Sequence, residues 1–233
     1  MAFAHKRHLF FDLDHTLWDF DKNAEETLKE LYESYRFDQL GLGSADAFIE
    51  SYTRNNHRLW ALYHHGKIDR ETLRTTRFQQ TFADLGIEPT LFPQQFEEDY
   101  IRICPQKTHL FPHAHETLDY LGQAYNLHLI SNGFKEGAET KLHTSGLRRH
   151  FQTIVISDDI GIRKPHPGIF MYALNGADAT KQESIMIGDS LDADVRGALD
   201  FGIDAIFFNP NDDAVPSDVT QSIRELKELT LLF

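Results

Sequence analysis

The stretch "HLFFDLDHTLWDF" (residues 8–20) places two aspartates, Asp12 and Asp14, at the point where a short apolar run ends. The run from Leu9 to Phe11 predicts a short buried strand. Burial of an unpaired carboxylate costs on the order of several kcal/mol, and two neighbouring carboxylates also repel each other. A helix N-cap at Asp14 or Thr16 explains one acidic residue but not the pair. The stretch therefore raises the question of which positive charge compensates both acids.

The composition of the chain excludes several classes of protein. Of its 233 residues, 41% are hydrophobic and 12% aromatic, which is enough for one large domain or for a core domain with a smaller second domain. Its apolar runs are far shorter than the roughly 20 residues of a membrane span, and residues 1–11 lack the long apolar segment of a signal peptide. The single cysteine, Cys104, fits a reducing compartment. We therefore expect a cytoplasmic protein with no membrane partner.

The charge of the chain also limits its partners. A formal net charge of −13 argues against a nucleic-acid partner, because such a surface needs clustered lysines and arginines. It is compatible with a small phosphorylated metabolite, because the local charge of a site can oppose the global charge. The sequence does not choose between a monomer and a weak homo-oligomer.

After the first strand, apolar residues recur with helical spacing. We predict four helices, over 23–35, 44–66, 69–86 and 90–103. Asn23 and Glu26 have the spacing of a capping box, and Pro93 is expected in the first turn of the fourth helix, where proline is tolerated. The sequence therefore predicts a helical cap domain over 18–107, inserted into a core domain made of 1–17 and 108–233.

From about Leu110 onward, strands and helices alternate. Strands are predicted over 127–131, 152–157, 184–189 and 204–209, with helices around 136–144, 167–174 and 193–201 between them. Such alternation implies crossover connections and a parallel sheet covered on both faces. The first strand must join that sheet. The predicted fold class is therefore α/β, a parallel sheet interrupted after its first strand by four cap helices.

Polar residues follow the strands of this predicted sheet. In open parallel sheets, ligands bind beyond the carboxyl ends of the strands. The residues found at those ends are Asp12, Asp14, Ser131, Asn132, Gly133, Lys164, Asp189 and Asp194. A divalent cation would neutralise carboxylates that otherwise repel, and Mg²⁺ prefers oxygen ligands and shares phosphate oxygens. The sequence therefore predicts an Mg²⁺ site in this crevice.

Four segments carry a resemblance to a known family. "DLDHTL" (12–17), "ISNG" (130–133), "RKPHPGIF" (163–170) and "IGDSLDADVRGA" (187–198) resemble, in order, the four motifs of the haloacid dehalogenase superfamily. The resemblance implies a Rossmann-like core of the haloacid dehalogenase type. Within that superfamily the chain looks like the phosphatase branch. The first and second motifs with their flanks are similar to the YjjG-like pyrimidine 5′-nucleotidases.

The resemblance implies roles for acidic residues of the first and fourth motifs. Asp12 would be the nucleophile that forms an aspartyl-phosphate intermediate. Asp14 would protonate the leaving oxygen and then deprotonate the hydrolytic water. Asp12, the Asp14 carbonyl and Asp189 would hold Mg²⁺. Thr16 is expected next to these ligands.

The other motifs would bind the phosphoryl group and support the nucleophile. Ser131, with backbone N–H groups near Asn132 and Gly133, would hold the phosphoryl oxygens. Lys164 would place a positive charge beside Asp12 and the phosphate. Asp194 would orient Lys164 or a metal-bound water.

The substrate is less well determined than the reaction. Trp18 and Phe20 could stack on a nucleobase, or they could pack between core and cap. A helical cap that closes over the crevice would exclude polymeric substrates. The leading hypothesis is a nucleoside 5′-monophosphate phosphatase. Its alternatives are a phosphatase for sugar phosphates or phosphoglycolate, a phosphomutase, a haloacid dehalogenase and a binding module without catalysis.

Overall fold

The computed structural model describes residue 3 and residues 5–233 of the chain. Within these residues, the strands are β1 (His8–Phe11), β2 (Asn126–Ser131), β3 (Thr153–Ile156), β4 (Ser184–Gly188), β5 (Asp204–Phe208) and β6 (Ser222–Ile223). They form one parallel sheet in the order β3-β2-β1-β4-β5-β6. The predicted α/β fold with a parallel sheet is confirmed, and the first strand of the chain is flanked on both sides.

The chain divides into two compact units. One consists of Met1–Phe20 and Thr108–Phe233, and we call it the sheet unit; the other, Asp21–Lys107, is the helical unit. The first boundary lies three residues later than expected from the sequence. Trp18 stays with the sheet unit because it forms bridges to Asp14 and Leu110.

The insertion after β1 is helical. Its helices are α1 (Phe20–Ser34), α2 (Ala45–His64), α3 (Arg70–Asp84) and α4 (Gln94–Ile103). The predicted capping box was wrong, because α1 begins at Phe20 and Asn23 therefore lies inside the helix, where its carbonyl accepts a hydrogen bond from Thr27 Oγ1 at 2.8 Å. Pro93 directly precedes α4 instead of lying in its first turn, and its extended backbone starts the helix.

Aromatic rings form the core of the helical unit. Five phenylalanines of this core are fully buried: Phe37, Phe48, Phe78, Phe82 and Phe96. Arg77 is buried beside them, with its guanidinium carbon 5.0 Å from the ring centroid of Phe78 and 5.1 Å from that of Tyr100. Its Nη1 donates to Asn56 Oδ1 at 3.4 Å, and its Nε is buried without a hydrogen-bond partner.

Helices flank the sheet in the second half of the chain. In the described residues they are α5 (Ala114–Leu121), α6 (Lys135–Thr144), α7 (Ser157–Ile160), α8 (Pro167–Gly176), α9 (Gly197–Phe201) and α10 (Leu229–Leu232). A π-helical turn (Leu191–Arg196) leads into α9. One face of the sheet packs on α8 through Phe10, Met186 and Phe170. None of the described helices combines the length and the apolar character needed to cross a membrane.

Two buried histidines face each other on the central strands. His8 Nδ1 in β1 lies 3.0 Å from His128 Nε2 in β2. Burial lowers the pKa of His128 to about 4, with a further contribution from His8, and burial also lowers the pKa of His8. Both imidazoles are therefore neutral at pH 7.

Candidate active site

Three neighbouring strands end in polar residues at the same edge of the sheet. Asp12 follows β1, Ser131 ends β2, and Asp189 follows β4. Because β2, β1 and β4 are adjacent and parallel, their carboxyl ends meet. The Asp12 N–H donates to Ile187 O at 2.9 Å, which extends the pairing of β1 with β4 as far as the acid.

Lys164 supplies a positive charge at the end of β1. Its side chain is 1% exposed, and its Nζ lies 2.5 Å from Asp12 Oδ1 and 2.6 Å from Asp194 Oδ1. Nζ also donates to Ile130 O at 2.7 Å. Burial alone lowers the pKa of Lys164, but the attraction of the two carboxylates outweighs burial and raises this pKa above its ordinary value. Lys164 is therefore an ammonium ion within a group of acids.

Three carboxylates lie close together at this site, and two of them, Asp12 and Asp194, contact the ammonium. One oxygen each from Asp12, Asp189 and Asp194 lies within 4.8 Å of the others. Burial raises the pKa of Asp12 well above its ordinary value; Lys164 opposes this shift, and Asp194 and Asp189 add to it. Burial, with Asp194, likewise raises the pKa of Asp189 to about 7. One ammonium does not balance three carboxylates, so this set of oxygen donors fits a divalent cation such as Mg²⁺.

Two residues fix the acids that follow β4. Thr16 Oγ1 donates to Asp189 Oδ1 at 2.9 Å and accepts from the Asp189 N–H at 3.1 Å. At Gly188, an added Cβ would lie 2.3 Å from Asp194 Oδ2, so only glycine admits the carboxylate here. Asp194 itself lies in the π-helical turn, a feature frequent at functional sites. Thr16 and Asp194 thus lie next to carboxylates that are predicted to hold the metal ion, and the roles expected of them stay predictions.

The loop after β2 connects Ser131 to Lys164. Ser131 Oγ accepts from the Gly133 N–H at 3.0 Å. The Asn132 side chain holds the backbone of Lys164, since Nδ2 donates to Lys164 O at 2.9 Å and Oδ1 accepts from Lys164 N at 2.8 Å. Both polar atoms of the Asn132 side chain therefore hold the backbone of Lys164 in place. The phosphate contacts expected of Ser131, Asn132, Gly133 and Lys164 stay predictions.

Asp14 has an ammonium partner of its own, which the sequence analysis missed. Lys141 Nζ in α6 lies 2.6 Å from Asp14 Oδ1. One signal was present in the sequence, because Lys141 shares the buried face of α6 with Ala138 and Leu142 at helical spacing. A lysine on such a face needs a counter-charge.

The two aromatic residues after Asp14 are packed. Trp18 is 0% exposed and Phe20 is 9% exposed, and their rings meet edge to face with centroids 6.0 Å apart. Lys141 Nζ lies 4.3 Å from the Trp18 ring centroid, so the ammonium occupies this ring face. Stacking of either ring on a nucleobase stays a prediction.

Comparison with known proteins identifies relatives over most of the chain. A model of the haloacid dehalogenase-like hydrolase family matches residues 9–208. The pyrimidine 5′-nucleotidase PynA of Streptococcus pneumoniae is 33% identical over 207 residues, which cover 87% of this chain and 84% of PynA. The pyrimidine 5′-nucleotidase YjjG of Escherichia coli is 29% identical over 227 residues, which cover 95% of this chain and 96% of YjjG.

A solved structure with the same fold agrees with these sequence matches. The magnesium-bound HAD-hydrolase YfnB from Bacillus subtilis superposes with a TM-score of 0.85 at 29% sequence identity. The match covers 97% of this chain and 98% of the YfnB chain. YfnB therefore shares the fold of this chain.

Proposed function

Because this chain belongs to the haloacid dehalogenase-like hydrolase family, we propose that it is an Mg²⁺-dependent phosphatase that hydrolyses nucleoside 5′-monophosphates. The observation that carries the proposal is the pair of carboxyl groups, Asp12 and Asp14, at the end of one strand, each with its own lysine. The nucleotide class is supported by the two pyrimidine 5′-nucleotidases at 33% and 29% identity. Pyrimidine nucleotides are therefore the first substrates to test.

The reaction would proceed in two steps. In the first, a carboxylate oxygen of Asp12 attacks phosphorus and the phosphorus–oxygen bond to the nucleoside breaks. Asp14 gives a proton to the departing oxygen, so that an alcohol leaves. In the second, Asp14 removes a proton from the water that attacks the phosphorus of the aspartyl phosphate, which releases phosphate and restores Asp12.

The residues around Asp12 prepare it for this attack. Lys164, at 2.5 Å from Asp12, favours the ionised carboxylate against the effect of burial. Ser131 Oγ and the Gly133 N–H lie at the end of the adjacent strand, and we assign them contacts to the phosphoryl oxygens. Asn132 places Lys164 through two hydrogen bonds to its backbone.

The predicted metal site has a defined task in this scheme. Asp12, Asp189 and the Asp14 carbonyl would hold Mg²⁺, which when bound neutralises the acids and the phosphoryl oxygens. Asp194 orients Lys164 through the contact at 2.6 Å. Thr16 holds the Asp189 carboxylate through a hydrogen bond from its hydroxyl.

Asp14 favours phosphoryl transfer over dehalogenation. A halide leaves carbon without a proton, so a dehalogenase has no use for an acid at this position. The alcohol oxygen of a phosphate monoester is a poor leaving group and benefits from a proton donor. A carboxyl group two residues after the nucleophile fits the second reaction.

The proposal is tested by phosphate release from a substrate panel with Mg²⁺, with and without a chelator. The panel holds purine and pyrimidine 5′-monophosphates, their deoxy forms, hexose phosphates and phosphoglycolate. We expect kcat/KM at least about tenfold higher for nucleotides than for the other esters, and loss of turnover on chelation. A preference for a sugar phosphate or phosphoglycolate would support the phosphatase reaction and contradict the proposed nucleotide substrate.

The matched control is Asp12→Asn, which preserves shape and removes the nucleophile. Its kcat is expected to fall by at least about 10³-fold, because no aspartyl phosphate can form. Its thermal unfolding should stay close to that of the wild type. Turnover near the wild-type level would rule out the covalent mechanism.

A further inference from the structure

We propose that Lys141 is a positioning residue that holds the Asp14 carboxyl group in the orientation needed for proton transfer. This inference rests on the proposed function, which gives Asp14 that proton transfer. Lys141 lies outside the four sequence motifs, in the last turn of α6. Three observations around its ammonium group support the assignment.

The first observation is that the contact of Lys141 with Asp14 is partly buried, with the Asp14 side chain 24% exposed. Lys141 is 8% exposed, and its Nζ lies 2.6 Å from Asp14 Oδ1. An exposed ion pair contributes little, because water screens it and long side chains stay mobile. A partly buried pair is screened less and keeps its geometry better, because separating its charges leaves the buried ammonium of Lys141 poorly solvated. Lys141 therefore restricts the rotation of the Asp14 side chain.

The second observation is that Lys141 is itself held in place. Its backbone belongs to α6, and its stem lies on the buried face of that helix between Ala138 and Leu142. Its Nζ lies 4.3 Å from the ring centroid of Trp18 and 5.3 Å from that of Phe20, where cation–π attraction adds to the ion pair. An ammonium group held in this way can keep the Asp14 carboxyl group in one position.

The third observation concerns the two oxygens of Asp14. Oδ1 contacts Lys141, whereas Oδ2 faces the loop after β2. An added Cβ on Gly133 would lie 3.6 Å from Asp14 Oδ2 and 3.2 Å from Ser131 Oγ, so this second oxygen lies beside the group assigned to the phosphoryl oxygens. The contact of Oδ1 with Lys141 thus fixes the orientation of Asp14, and Oδ2 lies toward the site assigned to the phosphoryl group.

The kinetic test compares Lys141→Met, which keeps the stem and removes the charge, with Lys141→Arg, which keeps the charge. For each variant, kcat/KM is measured on aryl and alkyl phosphate monoesters with leaving alcohols of increasing pKa. This constant reports the steps up to departure of the alcohol. Alcohols of low pKa leave without a proton, so only poor leaving groups respond to a misplaced Asp14.

We expect Lys141→Met to lose about 10²-fold on alkyl phosphates and less than about fivefold on p-nitrophenyl phosphate. Lys141→Arg should recover most of that loss. A double variant with Asp14→Asn should be no worse than Asp14→Asn alone, because Lys141 then has no acid to position. Lys141→Gln repeats the comparison with a polar neutral side chain, in case the methionine variant does not fold.

Two kinetic outcomes would overturn the inference. An equal loss on every ester, with a raised KM, would make Lys141 a substrate ligand instead of a positioning residue. Additive losses in the double variant would show that Lys141 acts independently of Asp14.

A crystal structure of Lys141→Met provides a readout that does not depend on turnover. We expect the Asp14 carboxyl group to leave the position it has in the wild type. An unmoved Asp14 overturns the inference, whatever the enzyme hydrolyses. A displaced Asp14, together with a wild type that hydrolyses no phosphate ester, overturns the proposed function alone.

Discussion

Each unit of the molecule buries a permanent positive charge, but the two charges are compensated in different ways. Lys164 in the sheet unit is 1% exposed and contacts Asp12 and Asp194 at 2.5 and 2.6 Å. Arg77 in the helical unit is 4% exposed, lies against aromatic rings and donates to Asn56 Oδ1 at 3.4 Å. Within the described residues, no carboxylate forms an ion pair with Arg77.

The difference distinguishes a buried charge that belongs to the candidate active site, Lys164, from a buried charge that belongs to the packed core, Arg77. Around Lys164 the carboxyl groups outnumber the ammonium group. This cluster therefore has an excess of acidic groups that a metal ion can neutralise. Around Arg77 the negative faces of aromatic rings and an amide oxygen take the place of an anion. Burial therefore does not identify a functional charge by itself; the chemical type of its partners does.

Lys164→Met tests the carboxylate side of this comparison and has the largest expected effect on stability. It leaves Asp12 and Asp194 buried without their cation, and removal of one partner from a buried pair costs roughly 3–5 kcal/mol. Urea unfolding in the presence of a chelator measures this loss. Adding Asp12→Asn should restore part of it. A loss below about 1 kcal/mol would show that the acids are stabilised by other means than Lys164.

Mg²⁺ should stabilise the sheet unit by adding a second cation to the same acids. A ligand at 100 times its Kd raises the free energy of unfolding by about 2.7 kcal/mol. Thermal unfolding with and without Mg²⁺ measures this effect, with Arg77→Met as a control that keeps the full shift. In Asp189→Asn the shift should shrink or disappear. An unchanged shift in that variant would place the cation elsewhere.

The pair His8 and His128 extends the comparison to a buried group that can lose its proton. Burial without a counter-charge leaves an arginine charged but makes a histidine neutral. With the pKa of His128 lowered to about 4, the unfolded chain binds more protons than the folded one between about pH 6.5 and 4. The stability that His128 supports is therefore present at pH 8 and is lost as the pH falls through this window.

Between pH 8 and pH 5, His128 should account for a loss of about 2 kcal/mol in the free energy of unfolding. Urea unfolding at both pH values measures it, and His128→Gln should show a smaller loss. If the wild type and the variant lose equally, the sensitivity to acid belongs to other groups.

Arg77→Met has the smallest expected effect. Replacing a buried cation by an apolar side chain of similar size leaves no opposite charge behind, so stability should change by less than about 1 kcal/mol. Urea unfolding and kcat/KM on the best substrate check this prediction. A fall in kcat/KM at unchanged stability would give Arg77 a part in catalysis and remove the contrast with Lys164.

The strands and the acidic edge of the sheet were predictable from the sequence. Buried parallel strands are apolar runs that end at polar residues or glycine, and the strands predicted over 127–131 and 184–189 agree with β2 and β4 within one residue at each end. The meeting of Asp12 with Asp189 follows from the same rule, because β1 and β4 are parallel neighbours whose carboxyl ends lie together. Lys164 lies eight residues beyond the end of β3, so the rule alone does not bring it to Asp12. The short strand β6 has too few residues to show a pattern.

Contacts between distant side chains were not predictable in this way. Asp14 and Lys141 are 127 residues apart, and only the folded structure of the sheet unit shows that they meet. The capping box predicted at Asn23 was wrong because Asn and Glu three residues apart also occur inside helices. Such a short motif does not show whether the helix begins at the Asn or one turn earlier.

The place of β1 in the sheet also has a consequence for folding during synthesis. His8 pairs with Asn126 and Ser184, so a ribosome that has made β1 must make the whole helical unit before the first neighbouring strand exists. The contacts within the helical unit are closer in sequence, and such contacts form early. The central strand therefore enters the sheet late, and Asp12 meets Asp189 only after about four-fifths of the chain has been synthesised.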